Sequence, residues 1–138
     1  MIILNDVHYQ YEQSAVEALQ GVSLKINDGE HLAVIGPNGC GKTTLIQHLN
    51  ALLMPGQGSV SIDGLDTRDL AAQGAIRSLM GMVFQNPDSQ IVGMTVGEDV
   101  AFGPENMRLP PSEIRERVAE ALRGFKQSGH CRAGLAEH

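Results

Sequence analysis

A chain of 138 residues, 42 % of them hydrophobic, is long enough for one domain with a buried core and too apolar for a disordered one. A net charge of −6 with ten scattered Lys and Arg argues against a nucleic-acid surface, and two cysteines with no ligand-like spacing, beside five histidines without an HExxH pattern, suggest neither a disulfide framework nor a zinc site. No apolar run approaches membrane-spanning length and "MIILNDVHYQ" lacks the pattern of a leader, so a reducing cytosol and at most peripheral membrane contact are expected.

Ile2 to Tyr11 and Val22 to Ile26 read as strands, the second alternating Val22, Leu24 and Ile26 with Ser23 and Lys25. Asn27, Asp28 and Gly29 form a hairpin signal. "HLAVIG", His31 to Gly36, loses the alternation, as expected of a central strand covered on both faces. Leu45, Ile46, Leu49, Leu52 and Leu53 then recur at helical spacing within Lys42 to Leu53, and "MPGQG" is expected to end that helix. "SVSIDG" predicts a short strand closed by a turn at Asp63 and Gly64. "GMVFQ", 81–85, predicts a second buried strand, followed by the loop "NPDSQ". Pro111 and Ser112 open a predicted helix in which Ile114, Val118, Leu122 and Phe125 repeat every four residues, with Glu113 and Arg117 paired on the other face.

The densest chemistry lies at Gly36 to Thr43, which matches GxxxxGK[ST] between a predicted buried strand and a predicted helix. Glycines let the backbone curl so that N–H groups, roughly those of Gly39 to Thr44, converge on one concavity that side chains would otherwise fill. The helix N-terminus adds unpaired donors and a partial positive charge, so a di- or triphosphate is expected to be held largely by main chain. Lys42 is placed for the β- and γ-phosphates, and the Thr43 hydroxyl for a Mg²⁺ shell. A glycine-rich turn with a surface lysine would match by chance in roughly one chain of this length in a few hundred.

"GPNGCGKTTL", its lead-in "ALQGVSLKINDGEHLAVIGPNG" and the stretch "MGMVFQNPDSQIVGMTVGEDVAFGPENMRLP" resemble the ATP-binding subunits of ABC transporters, in their cobalt and energy-coupling-factor branch. The resemblance implies an α/β fold, the N-terminal portion of a P-loop NTPase (ABC ATPase) core with an antiparallel β subdomain, over about residues 1–123, with an atypical, disordered tail at 124–138. It implies that Gly36, Pro37, Asn38, Gly39, Cys40, Gly41, Lys42, Thr43 and Thr44 bind ATP, Thr44 at the α-phosphate, and that Tyr11 stacks on the adenine. It implies that Gln85 binds Mg²⁺, as Thr43 does, or holds the attacking water. Without the resemblance, Tyr11 also reads as an ordinary strand tyrosine and Gln85 as a polar strand end. The loop with Pro87 and Asp88 is implied to face a membrane partner. Implied partners are a second ATP-binding subunit, like or unlike, and transmembrane transporter subunits at the cytoplasmic face of the membrane.

Two departures from the family pattern stand out. Cys40 occupies a position where serine or alanine is more usual, and LSGGQ, the Walker B aspartate, the catalytic glutamate and the switch histidine do not occur, while "GFKQSGHCRAGLAEH" matches nothing in the family. Two expectations result. The parent protein is a transport-coupled ATPase subunit driving uptake of a metal ion or vitamin; this chain is a truncated or frame-shifted, non-catalytic nucleotide-binding fragment whose segment Leu32 to Ile35 is open to self-association. A GTPase is disfavoured because DxxG and [NT]KxD are absent, and a small-molecule kinase leaves "VFQNPD" unexplained.

Overall fold

The structure, a computed structural model, describes residues 1–86 and 90–127. The chain divides into two compact units, Met1–Met82 and Val83–His138.

In the first unit, β1 (Ile2–Tyr9), β2 (Leu19–Ile26), β3 (Gln57–Ile62) and β4 (Leu65–Asp66) form an antiparallel sheet in the order β2-β1-β3-β4. Ile2 of β1 faces Ile26 on one side and Ile62 on the other. Strict alternation cannot bury both Leu4 and Val7, yet both are buried. The register shifts between them and Asp6 adopts φ 46, which inserts the extra residue of a β-bulge. Gly58 makes room for it, since a methyl group there would lie 2.1 Å from the Asp6 carbonyl oxygen.

Two helices complete this unit: α1 (Lys42–Leu49) and α2 (Gln73–Leu79). Leu45, Leu49 and Ile76 join Leu4, Val7, Leu19, Val60 and Ile62 in one core, each side chain contributing about 1.5–3 kcal/mol by its burial. The helix expected over Lys42 to Leu53 is shorter than its periodicity implied: Asn50 caps it, Ala51 takes φ 56, and Leu52 is exposed. The left-handed Ala51 is fully buried, and the Arg77 guanidinium of α2 donates to its carbonyl at 3.0 Å. Tertiary contacts therefore end the helix before "MPGQG" does.

Two expected strands are corrected. Residues 31–36 form no strand, every residue from His31 to Cys40 is exposed, and Ile35 is 92 % exposed. The turn at Asp28 and Gly29 is present, with the Glu30 N–H donating to the Asn27 carbonyl at 3.1 Å, but no hairpin follows. Residues 81–85 likewise form no strand, and Val83 is 89 % exposed. The physical reason is the same in both cases. Apolar sequence supplies strand faces, but a strand exists only through backbone partners, and no described strand pairs with either segment.

The second unit contains α3 (Val96–Asn106) and α4 (Pro111–Gln127), which pack on each other. Thr95 caps α3 in a full capping box with Glu98, an N-terminus that the periodicity reading did not find. α4 is the helix expected from Pro111: Ile114, Val118 and Leu122 share its half-buried face, and Arg117 meets Glu113 at 2.7 Å. Pro87, Asp88 and residues 128–138, including most of the expected tail, lie outside the described residues.

Candidate functional site

The glycine loop is built by steric necessity. Gly39 and Gly41 take φ 81 and φ 90, conformations costly for any residue with a Cβ. Gly41 is further constrained, since a methyl group there would lie 2.3 Å from the Ala18 carbonyl oxygen, and one at Gly36 would lie 2.7 Å from Cys40 Sγ. Gly41 also serves as N-cap of α1, and it offers no side chain to accept the first N–H groups of the helix. The first turn thus presents bare donors and the positive end of the helix dipole to solvent, beside a curled loop with little side chain.

Lys42, the first residue of α1, folds back over that loop. Its ammonium donates to the carbonyls of Gly36 at 2.8 Å and Pro37 at 2.6 Å, and Cys40 Sγ lies 3.7 Å away. Thr43, one residue on, is exposed, whereas Thr44 is buried and its hydroxyl meets the Tyr11 hydroxyl at 3.0 Å. Of the residues singled out in the sequence, the structure therefore brings the loop, Lys42, Thr43, Thr44 and Tyr11 together. Gln85 sits in the second unit, exposed, in a bend rather than at a strand end. Its relation to the loop is carried by the resemblance alone.

Beneath this site lies a cluster that sequence reasoning missed. His48, fully buried on α1, donates from Nδ1 to the Thr44 carbonyl at 2.8 Å, which leaves Nε2 an acceptor without a partner among the described residues. The Tyr9 ring stands edge-on to His48, centroids 4.8 Å apart, and edge-on to Tyr11 at 4.9 Å. Partial burial, with Tyr11 and Glu12 nearby, raises the Tyr9 phenol above its ordinary pKa. Tyr9, Tyr11, Thr44 and His48 thus join the end of β1 to the first turn of α1. The available sequence signal was a polar residue at i+4 from Thr44 on an otherwise apolar helix face.

A phosphate-bearing ligand and a cation suit these residues: an uncapped helix N-terminus, an ammonium at the loop and an exposed threonine are the kind of donor set such groups require. Among the described residues no cluster of His, Cys, Asp and Glu could hold a metal by itself, so a cation here needs the ligand's own oxygens. No described helix is long and apolar enough to cross a membrane.

Comparison with known proteins places this geometry in context. The family model described as ABC transporter matches residues 19–136. A cobalt import ATP-binding protein CbiO of Syntrophus aciditrophicus is 57 % identical over 122 residues, covering 88 % of this chain and 44 % of the relative. An energy-coupling factor transporter ATP-binding protein EcfA1 of Symbiobacterium thermophilum is 53 % identical over 136 residues, covering 94 % of this chain and 47 % of the relative. Among solved structures, cbiO1 from Clostridium perfringens, part of the ABC transporter complex cbiONQ, superposes with a TM-score of 0.75 at 36 % identity, over 93 % of this chain and 50 % of its own. The chain spans about half the length of the proteins it matches, or somewhat less.

Proposed function

The chain belongs to the ABC transporter family, and from that premise we propose that it is the nucleotide-binding portion of an ATP-binding subunit whose intact form drives uptake of a cobalt-like metal ion or a vitamin. The observation that carries the reading is the left-handed glycine loop leading into an uncapped helix N-terminus under the Lys42 ammonium. Relatives named for cobalt import and for energy-coupling factor transport support the substrate class. A neighbour described as part of the ABC transporter complex cbiONQ supports partner subunits in a transporter; the transmembrane subunits, the second ATP-binding subunit and the peripheral place at the cytoplasmic face are what the resemblance implies.

In this reading the backbone from Gly36 through Gly41, Cys40 included, cradles the phosphates of ATP. Lys42 exchanges the Gly36 and Pro37 carbonyls for β- and γ-phosphate oxygens, which match an ammonium better than neutral carbonyls do. Thr44, its hydroxyl already facing Tyr11, contributes its N–H toward the α-phosphate. Tyr11, 40 % exposed, has free ring area for adenine stacking, worth about 1–3 kcal/mol per base. The Thr43 hydroxyl would hold Mg²⁺, which when bound offsets the charge on the β- and γ-phosphate oxygens, and the resemblance alone assigns the Gln85 amide to the same ion. Residues 1–123 make up the core of this domain in our reading, while the family match runs on to residue 136 and α4 to Gln127.

We infer binding without turnover for these 138 residues by themselves, because the acidic and signature groups that the resemblance assigns to hydrolysis do not occur in the sequence. The test compares the wild-type chain with Lys42→Ala, using a fluorescent ATP analogue and phosphate release. Loss of the charge-assisted contacts of Lys42 is expected to weaken MgATP binding about 10- to 100-fold, with no phosphate release above that of the variant. Equal binding by both proteins would remove the nucleotide reading; wild-type turnover above the variant would remove the fragment reading.

A further inference from the structure

His8 of β1 stands between two carboxylates. Its Nδ1 lies 3.2 Å from Glu17 Oε2 and its Nε2 lies 3.4 Å from Asp6 Oδ1. A neutral imidazole carries one N–H and can serve only one of them, so the arrangement fits the doubly protonated ring. Space for the pair is provided by Gly21 on β2, where φ is 70 and a methyl group would lie 3.1 Å from Asp6 Oδ1 and 3.3 Å from His8 Nε2. The β1 bulge at Asp6 is thus filled by an ion triad rather than left as a defect.

What this triad holds is the loop carrying Tyr11. Glu17 lies near the end of the segment that leaves β1 and returns as β2, and Tyr11 lies near its start. Ala18 donates its N–H to the Tyr9 carbonyl at 2.7 Å, while its own carbonyl closes on Gly41 at the N-terminus of α1. At the other end, the Tyr11 hydroxyl reaches Thr44 in the first turn of the same helix. We propose that His8, bridging Asp6 and Glu17, is a positioning residue for Tyr11, clamping the segment from Tyr11 to Ala18 onto the first turn of α1.

Protonation operates the clamp. The hydrogen bond to Glu17 first, with the charges of Glu17 and Asp6, holds the His8 proton above its ordinary range. Among the described residues, β2 presents Gly21 to His8, β3 presents Gln57, and Tyr9, which shares an open cleft with His8 and Glu17, stays an uncharged phenol in this range. Because the folded pKa is raised, the clamp is complete below the ordinary histidine pKa and is released as pH rises through the raised value. Its consequence for ligand affinity rests on the nucleotide reading above; the clamp itself does not.

The test follows Ala18 amide exchange and binding of a fluorescent ATP analogue from pH 6 to 9 in the wild type, His8→Gln and Glu17→Gln, with Lys42→Ala as the nucleotide control. Ala18 protection in the wild type, taken relative to His8→Gln at each pH, should fall about two- to fivefold across the range, and affinity should fall with it. Glu17→Gln should shift and flatten that profile. A slope shared by wild type and His8→Gln is independent of His8: in exchange it is the intrinsic base catalysis of amide exchange, and in affinity it includes the terminal phosphate of the nucleotide. Identical exchange profiles for wild type and His8→Gln would overturn the clamp, even where Lys42-dependent binding is intact. Exchange that follows His8 without Lys42-dependent binding would support the clamp and remove the nucleotide reading.

Discussion

At Lys42 the same few atoms serve two roles. The ammonium closes the loop by taking the Gly36 and Pro37 carbonyls, and it stands where the bare donors of α1 begin. Cys40 shares that mouth, exposed and with its sulfur 3.7 Å from the lysine nitrogen. A maleimide adduct at Cys40 would occupy the space that the glycines keep open. Modification mapped to Cys40 by mass spectrometry should abolish binding of an ATP analogue, and MgATP should slow the modification; a rate indifferent to MgATP would count against Cys40 as a lining residue. The loop was legible from residue types alone, because glycine and lysine at these spacings have steric and electrostatic meaning without any tertiary partner. His48 and Tyr9 were not, since their role depends on β1 and α1 meeting, and neither residue type announces a neighbour so distant in sequence.

Among the elements, α3 shows how a helix can start on capping rather than on periodicity. It contains Gly97, Gly103 and Pro104, all poor helix formers, and none of its residues is buried. Its start is held by Thr95, which accepts from the Glu98 N–H at 3.2 Å, while Glu98 accepts from the Thr95 N–H at 3.1 Å. Thr95→Ala should therefore cost about 0.5–2 kcal/mol, read as loss of amide protection at Glu98. Asp99 secures the approach to the helix by accepting from the N–H groups of Val92 at 2.8 Å and Gly93 at 3.0 Å. These two donors, Gly93 first, hold its carboxyl below the ordinary aspartate range. With the folded pKa depressed, the stabilisation is present above the unfolded value, about 3.9, and is lost as pH falls through the lower folded one. Gly93 amide protection should accordingly be steady at neutral pH and drop only below about pH 4, and Asp99→Asn should flatten that step. The sequence carried the Thr95 to Glu98 capping signature, but the apolar spacing around it was too irregular for a periodicity reading to find the helix.

For the whole molecule, the decisive feature is the exposed apolar segment before the glycine loop. Leu32, Val34 and Ile35 are exposed in a stretch without strand partners among the described residues. Backbone donors and apolar side chains exposed together favour pairing with another copy. Sedimentation of the 138-residue chain should show concentration-dependent self-association, reduced by Val34→Lys; a monodisperse, cooperatively unfolding monomer would overturn this. The sequence by itself determined the glycine loop, the three longer strands, the turn at Asp63 and Gly64, and α4, because each is encoded by residue sterics or by a period that neighbouring positions complete. Tertiary structure alone decided the bulge at Asp6, the early end of α1 at Ala51, the His8 triad and the failure of 31–36 and 81–85 to become strands. Those outcomes depend on which distant backbone and side-chain groups come to lie opposite, and a hydrogen bond across a sheet is fixed by its partner as much as by the residue that offers it.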